Sequence, residues 1–240
     1  MKAMTSDSYF KGQIRIRQDQ SGYHFSIDAV LLAFYARPHP GDRVLDLGTG
    51  CGIIPLIMAY RNPKIMIYGI EVQKELSELA NLNVKDNRMQ DRITIVCQDM
   101  KSLRSEMISG LVDLVVCNPP YRKSHAGRIN PNHQRALARH EIKATLSDVL
   151  LTARRMLRPA GRFVTVYTAE RTAELLAQMR SDRIEPKIIR TIHSSRHSEA
   201  KLILIEGVKG GRPGTKIQSP LILHDEAGNY TQQVRLMFEA

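Results

Sequence analysis

Tryptophan is absent from this 240-residue chain, and phenylalanine and tyrosine number only five and eight. Any core must therefore be built mainly from Ile, Leu, Val and Met. Cysteine is scarce as well. Cys51, Cys97 and Cys117 are an odd number, lie far apart and sit in apolar or glycine-rich runs. That excludes a disulfide framework and a zinc site, and predicts buried, reduced thiols. His24, His193 and His197 bring no Cys or acidic partner at ligand spacing, so no metal is expected. Long apolar runs are missing too. No window nears the roughly 18 consecutive apolar residues of a membrane span, and Met1 to Gly12 lacks the apolar segment of a secretory signal. The expectation is a cytoplasmic protein. Acidic residues are also few, 24 against 35 Lys and Arg, for a net charge of +11. That balance points to a polyanionic partner, although charge alone fits a plain basic cytosolic protein equally well.

What is present is a regular alternation. Runs rich in Val and Ile at Arg43–Leu47, Ile65–Ile70, Ile93–Cys97, Leu111–Cys117 and Arg162–Tyr167 predict strands. Stretches with helical spacing lie between them at Ile53–Tyr60, Lys74–Lys85 and Ile142–Leu157, the last stopping at Arg158-Pro159-Ala160-Gly161. Near-continuous apolar strands alternating with helices are what a parallel sheet covered on both faces demands. After a helix-like stretch, Ala169–Arg180, two more strand-like runs, Pro186–His193 and Ala200–Val208, are joined by the short polar segment Ser194–Glu199. So short a link holds no crossover helix, which makes these two strands antiparallel neighbours. The prediction is a single α/β domain over residues 1–240, with a mostly parallel seven-stranded sheet carrying one antiparallel strand. Gly207–Pro220, rich in Gly, Lys, Arg and Pro, reads as a mobile loop.

Asp46-Leu47-Gly48-Thr49-Gly50-Cys51-Gly52 follows the first strand and opens the first helix. It faces the crevice outside the carboxyl ends of the strands, where such sheets bind ligands. Ile53 stands where the dinucleotide fingerprint G-x-G-x-x-G needs glycine, so that fingerprint fails. The turn resembles the glycine-rich motif of S-adenosylmethionine-dependent methyltransferases, in which an acidic residue precedes G-x-G-x-G. The resemblance implies the class I, Rossmann-like methyltransferase fold. It also implies S-adenosylmethionine as cofactor, its methionine portion held by Asp46 and the backbone at Gly48, Gly50 and Gly52. Glu71 ends the second strand, where a carboxylate can accept both hydroxyls of a ribose. Asp99, after the third strand, matches the family position whose carboxylate accepts from the cofactor's adenine amino group. Taken singly, Glu71 reads as a solvated strand end and Asp99 as a helix cap. Their joint spacing after successive strands is what points to a nucleoside.

Asn118-Pro119-Pro120-Tyr121, at the carboxyl end of the fourth strand, is the most specific signal in the chain. Consecutive prolines stiffen the backbone and remove amide donors. The Asn118 side-chain oxygen and the Pro119 carbonyl are then left to accept both hydrogens of a planar amino group. Such acceptors draw the nitrogen towards a tetrahedral state whose lone pair is free to attack a methyl sulfonium. For an in-line transfer of that kind, positioning carries most of the catalysis and no strong base is needed. Tyr121 adds a π face for a planar base or amide. The plain alternative is a rigid Pro-Pro turn ending a strand.

Asn-Pro-Pro-Tyr resembles the motif of amino methyltransferases acting on adenine, on guanine in some RNA enzymes and on glutamine side chains, so it leaves the substrate open. Only 45 residues precede Asp46, too few for the helical recognition domain usual in release-factor glutamine methyltransferases. No remaining stretch suits the target-recognition domain of DNA adenine methyltransferases. A longer match involves Gly22–Ala33, the Asn118–Tyr121 loop with Arg122 and Lys123, Ala138-Arg139-His140-Glu141 and the tail around Pro220–Tyr230. Over nearly its whole length the chain resembles the bacterial valine-tRNA adenine-N6 methyltransferases. That resemblance implies methylation of the adenine immediately 3′ of the anticodon in a valine tRNA. It also implies that Asp28 and its flanks close over the cofactor's methionine end. Residues 1–40 would then be a capping segment, 41–208 the core, and 209–240 a basic loop and tail. Asp28 reads equally well as the N-cap of a helix Ala29–Tyr35.

Two basic sets support RNA as partner. Arg122, Lys123, Arg139 and His140 belong to the stretch after the catalytic motif and, with Tyr121, are the substrate-contact candidates. Lys187, Arg190, Arg196, Lys209, Arg212 and Lys216 follow later, and both sets are expected near the carboxyl edge of the sheet, where they would grip phosphates. An anticodon-loop base is already unpaired, so a small monomer without a recognition domain could still swing it into a pocket. The competing readings are a protein glutamine N5- or rRNA guanine N2-methyltransferase, and an inactive RNA-binding protein on a methyltransferase scaffold.

Overall fold

The computed structural model describes residues 4–19, 26–119 and 144–239. Its strands β3 (Arg43–Leu47), β4 (Met66–Glu71), β5 (Ile93–Cys97) and β6 (Val112–Cys117) run parallel, each within a residue of the predicted run. β7 (Leu157–Thr168) joins β6 in parallel and begins earlier than predicted, with an irregularity opposite Val112 and Leu114. Beyond it, β9 (Ala200–Lys209) lies antiparallel to both β7 and β8 (Ile184–His193). The seven predicted strands are therefore all present, and β9 is the reversed one. Two short strands, β10 (Lys216–Ile217) and β11 (Leu221–Ile222), extend the sheet in parallel along β8. This corrects the mobile-loop reading of Gly207–Pro220. Gly207 to Lys209 finish β9, and β10 covers backbone groups that an open β8 edge would leave unpaired.

Helices cover both faces. On one side lie α1 (Ile27–Tyr35), α2 (Ile53–Arg61) and α3 (Lys74–Asp86), and on the other α4 (Leu146–Met156) and α5 (Thr172–Ser181). α2 is buried from Ile53 to Ala59, which explains its lack of a polar stripe, and its Pro55 sits in the first turn, where no amide partner is lost. A reciprocal Thr145–Asp148 capping box starts α4. Of the helical stretch predicted over Ile142–Leu157, Ile142 and Lys143 fall outside the described residues, and Leu157 already belongs to β7. α6 (Gln232–Glu239) adds Val234 and Met237 to the first face.

A hairpin absent from the sequence expectations packs on the same side. It comprises β1 (Met4–Tyr9) and β2 (Ile14–Asp19), and it buries Ile14 and Ile16. Two further expectations are corrected. Cys51 and Cys117 are buried, but Cys97 is exposed because β5 is the outer strand of the sheet. The reversed course of β9 carries Lys209 to the amino edge beside Ile184, with Lys187, Arg212 and Lys216 nearby. Of that basic set, only Arg196, in the turn after β8, is at the carboxyl edge.

Candidate active site

The carboxyl ends of β3 to β6 meet at one edge of the sheet, and the chain leaves β3 through three alternate glycines. Gly48, Gly50 and Gly52 have φ of 75, 58 and 86°, a region that disfavours side chains. The turn folds onto β4. The Gly48 and Thr49 amides both donate to the Ile70 carbonyl at 2.9 Å. The Gly50 amide donates to Glu71 Oε2 at 3.0 Å. Sequence reasoning missed Gly69, where a Cβ would come within 2.9 Å of Thr49 Oγ1 and 2.8 Å of Ile95 Cδ1. A glycine inside an apolar strand was the available signal.

Glu71 is 5% exposed, so it is no solvated strand end. Its Oε1 accepts from the Gln73 amide at 2.9 Å, and its backbone carbonyl accepts from the Gln98 amide at 2.9 Å, which sets Asp99 on the adjoining strand end. Asp99 does act as a cap, its Oδ1 accepting from the Lys101 amide at 2.9 Å, while Oδ2 lies 3.5 Å from Lys101 Nζ. A carboxylate has about four lone-pair sites, so Asp99 retains acceptor capacity beyond these bonds. Asp46 is fully buried in β3. Neither of its oxygens has a hydrogen-bond partner among the described residues. Burial pushes its carboxyl up to about 7; the nearby Thr49 hydroxyl opposes this and the Glu71 charge adds to it.

β6 delivers the catalytic candidates to the same edge. The Cys117 thiol donates to the Leu47 carbonyl at 3.2 Å, and the Cys117 carbonyl accepts from the Thr165 hydroxyl at 2.8 Å. Cys117 therefore ties the residue before Gly48 to the residue before Asn118. Burial holds this thiol well above its usual range and so keeps the proton it donates. Asn118 is half-buried and Pro119 buried.

The family described as methyltransferase small domain matches residues 27–182, a span that includes both the glycine turn and Asn118. A protein of Porphyromonas gingivalis named tRNA1(Val) (adenine(37)-N6)-methyltransferase is 33% identical over 97% of this chain and 94% of its own length. The chain belongs to this methyltransferase family. A relative of the same name from Phocaeicola vulgatus is 30% identical over 80% of each chain. Among solved structures, one described as a predicted O-methyltransferase from Agrobacterium tumefaciens matches with a TM-score of 0.71 and 23% identity, over 88% of this chain and 94% of its own. At that identity the likeness shows the class I fold alone.

In this methyltransferase, then, Asp46, Gly48, Gly50, Gly52, Glu71 and Asp99 are brought together with Asn118 and Pro119. Asp28 lies half-buried in the first turn of α1, which begins at Ile27 with Ser26 at the cap position, so it is not the N-cap of a helix starting at Ala29. Pro120, Tyr121, Arg122, Lys123, Arg139 and His140 lie outside the described residues. Among the described residues no group of His, Cys, Asp and Glu could hold a metal, and no helix is long and apolar enough to cross a membrane. Both ring nitrogens of His193 are engaged, with the Ser198 carbonyl at 2.7 Å and Thr191 Oγ1 at 3.0 Å. Thr165 was invisible to sequence reasoning, being one polar residue in an apolar strand.

Proposed function

We propose that the chain transfers a methyl group from S-adenosylmethionine to the exocyclic N6 of an adenine in tRNA, the adenine 3′ of the anticodon of a valine tRNA, acting as a cytoplasmic monomer. Relatives matched over most of their length carry this activity in their names. These names favour tRNA adenine over a protein glutamine or an rRNA guanine. The observation that carries the reading onto this chain is the Asn118-Pro119 step, anchored through Cys117 beside the glycine turn.

The residues fit the cofactor. A buried carboxylate without a partner costs free energy that a cationic ligand offsets, and Asp46 has no hydrogen-bond partner among the described residues. The Gly48–Gly52 backbone lets the methionine portion approach, and Asp28 with its flanks closes over that end. The Glu71 carboxylate accepts from the ribose hydroxyls and that of Asp99 from the adenine amino group. Val72, apolar yet 37% exposed beside Glu71, supplies a surface for the base. When bound, S-adenosylmethionine supplies a methyl group already activated on a sulfonium. Asn118 Oδ1 and the Pro119 carbonyl accept the two hydrogens of the target amino group, and this draws its lone pair out of conjugation. Pro119 and Pro120 have no amide hydrogen to compete. Tyr121 stacks on the target base, while Arg122, Lys123, Arg139 and His140 meet the flanking backbone.

Purified protein incubated with valine tRNA and labelled cofactor tests this. Mass spectrometry of the digested RNA is expected to show N6-methyladenosine at that one position. Asn118→Ala is expected to retain cofactor binding and lose transfer. Label appearing instead in a protein glutamine or an rRNA guanine would overturn the substrate assignment.

A further inference from the structure

A second hollow opens on the sheet face that carries α1. There Val164 pairs with Glu206, Glu206 with Ile188, and Leu204 with Arg190, so β7, β9 and β8 form a mixed floor. Tyr35 and Arg37 at the end of α1 make one wall, and Ile217 to Ser219 make the other. The cavity holds about 580 Å³, within the range of small-ligand sites. Its Arg37 wall lies towards the amino edge, where Arg162 at the start of the regular part of β7 bonds the Arg37 carbonyl at 3.0 Å, and its floor reaches Val164, the partner of Val116 on β6.

The polar groups around it are chiefly donors. Arg190 rests on the Tyr35 ring, 4.9 Å from its centroid, and donates from Nη1 to the Tyr35 hydroxyl oxygen and from Nη2 to Gln233 Oε1 at 3.4 Å. Its Nε is buried without a partner among the described residues. The Tyr35 oxygen also accepts from Gln233 Nε2 at 3.3 Å, which leaves the phenolic hydrogen unspent. Arg37 is exposed, its charge reaches Tyr35, and its guanidinium has no partner among the described residues. The lining carboxylate, Glu206, is already shared with Arg162 at 3.7 Å. Two guanidinium groups and a phenolic hydrogen thus surround an apolar floor whose carboxylate among the described residues, Glu206, is already paired.

We propose that this cavity is a nucleotide subsite in which Arg37, Arg190 and the Tyr35 hydroxyl hold a phosphate while the sugar or base lies on Val164, Ile188 and Leu204. Guanidinium groups match phosphate oxygens in charge and geometry. The phosphate belongs either to the bound tRNA or to a free nucleotide. Only the first source rests on the function proposed above.

Arg37→Gln removes one charge from an exposed side chain, and Ile217→Glu places a carboxylate at the mouth from a side chain that is 78% exposed. Unchanged cofactor affinity in both variants confirms an intact fold. Loss of one phosphate contact is expected to lower the salt slope of tRNA binding by about 1 and to weaken binding roughly eightfold at 0.1 M salt, the effect of about one released counterion. If tRNA binding is unaltered but AMP raises the melting temperature of the wild type and not of the variants, the ligand is the free nucleotide. Equal salt slopes together with no AMP effect specific to the wild type would overturn the proposal. A wild type that neither binds nor methylates tRNA would sink the function proposed above, and the AMP comparison would still decide the subsite.

Discussion

Asn83 grips Arg17 by both of its backbone groups, accepting from the amide at 2.8 Å and donating to the carbonyl at 3.1 Å. One helical turn on, Asn87 does the same to Arg15 at 2.9 and 2.7 Å. Helix α3 therefore presents β2 with something like the edge of a strand. Asn83 also donates to the Cys51 carbonyl at 2.9 Å, so the hairpin and the glycine turn share one anchor. In Asn83→Ala, three backbone groups lose a buried partner, and a loss of about 3 kcal/mol is expected. Asn87→Ala, at a less buried position, is expected to cost about 1 kcal/mol. Denaturant titration of the two variants distinguishes them, and equal losses would show that the shared anchor has no special weight.

Thr165 is buried in β7, and its hydroxyl fixes the carbonyl next to Asn118. Thr165→Val keeps the shape and removes that bond. The expected result is a turnover roughly tenfold lower, about 1.4 kcal/mol of transition-state stabilisation, with cofactor affinity unchanged. Thr165→Ser should restore turnover. A valine variant with normal turnover, or a serine variant as slow as valine, would show that the bond does not position the loop.

Asp46 makes the cofactor-free protein sensitive to pH. Its carboxyl stands at about 7 in the folded chain against an ordinary 3.8. A raised folded value means that the neutral acid favours folding, so this contribution is complete below the lower value and fades as pH rises through the upper one. A cationic ligand selects the ionised form. Between about pH 4 and 7, the melting temperature of the cofactor-free wild type should fall relative to Asp46→Asn, while cofactor affinity rises by up to about tenfold per pH unit below the upper value. Parallel profiles for the two proteins would remove Asp46 from this role.

Gly69→Ala tests the close approach of the glycine turn to β4. The added methyl meets Thr49 Oγ1 at 2.9 Å and Ile95 Cδ1 at 2.8 Å. Ile95 can rotate, but Thr49 is held by its amide on Ile70. A stability loss of about 1–3 kcal/mol is expected, together with weaker cofactor binding by calorimetry. Wild-type affinity in this variant would mean that the turn tolerates displacement.

The order and type of most elements could be read from the chain alone, because burial on both faces of a parallel sheet imposes continuous Val and Ile runs and the intervening helices impose their own spacing. The glycine turn and Asn118-Pro119 were equally legible, since their chemistry is local. The alternation of Ile14, Arg15, Ile16 and Arg17 also held a strand signal, but what docks that strand is a pair of asparagines some seventy residues away. Strand order and direction lie beyond local pattern. They decided that Cys97 faces solvent on an outer strand, that Lys209 sits at the amino edge, and that Cys117 reaches Leu47. They also left the Asp46 carboxylate without a hydrogen-bond partner among the described residues. A residue's type tells which bonds it can make, and only the packing of distant strands determines which of them it does make.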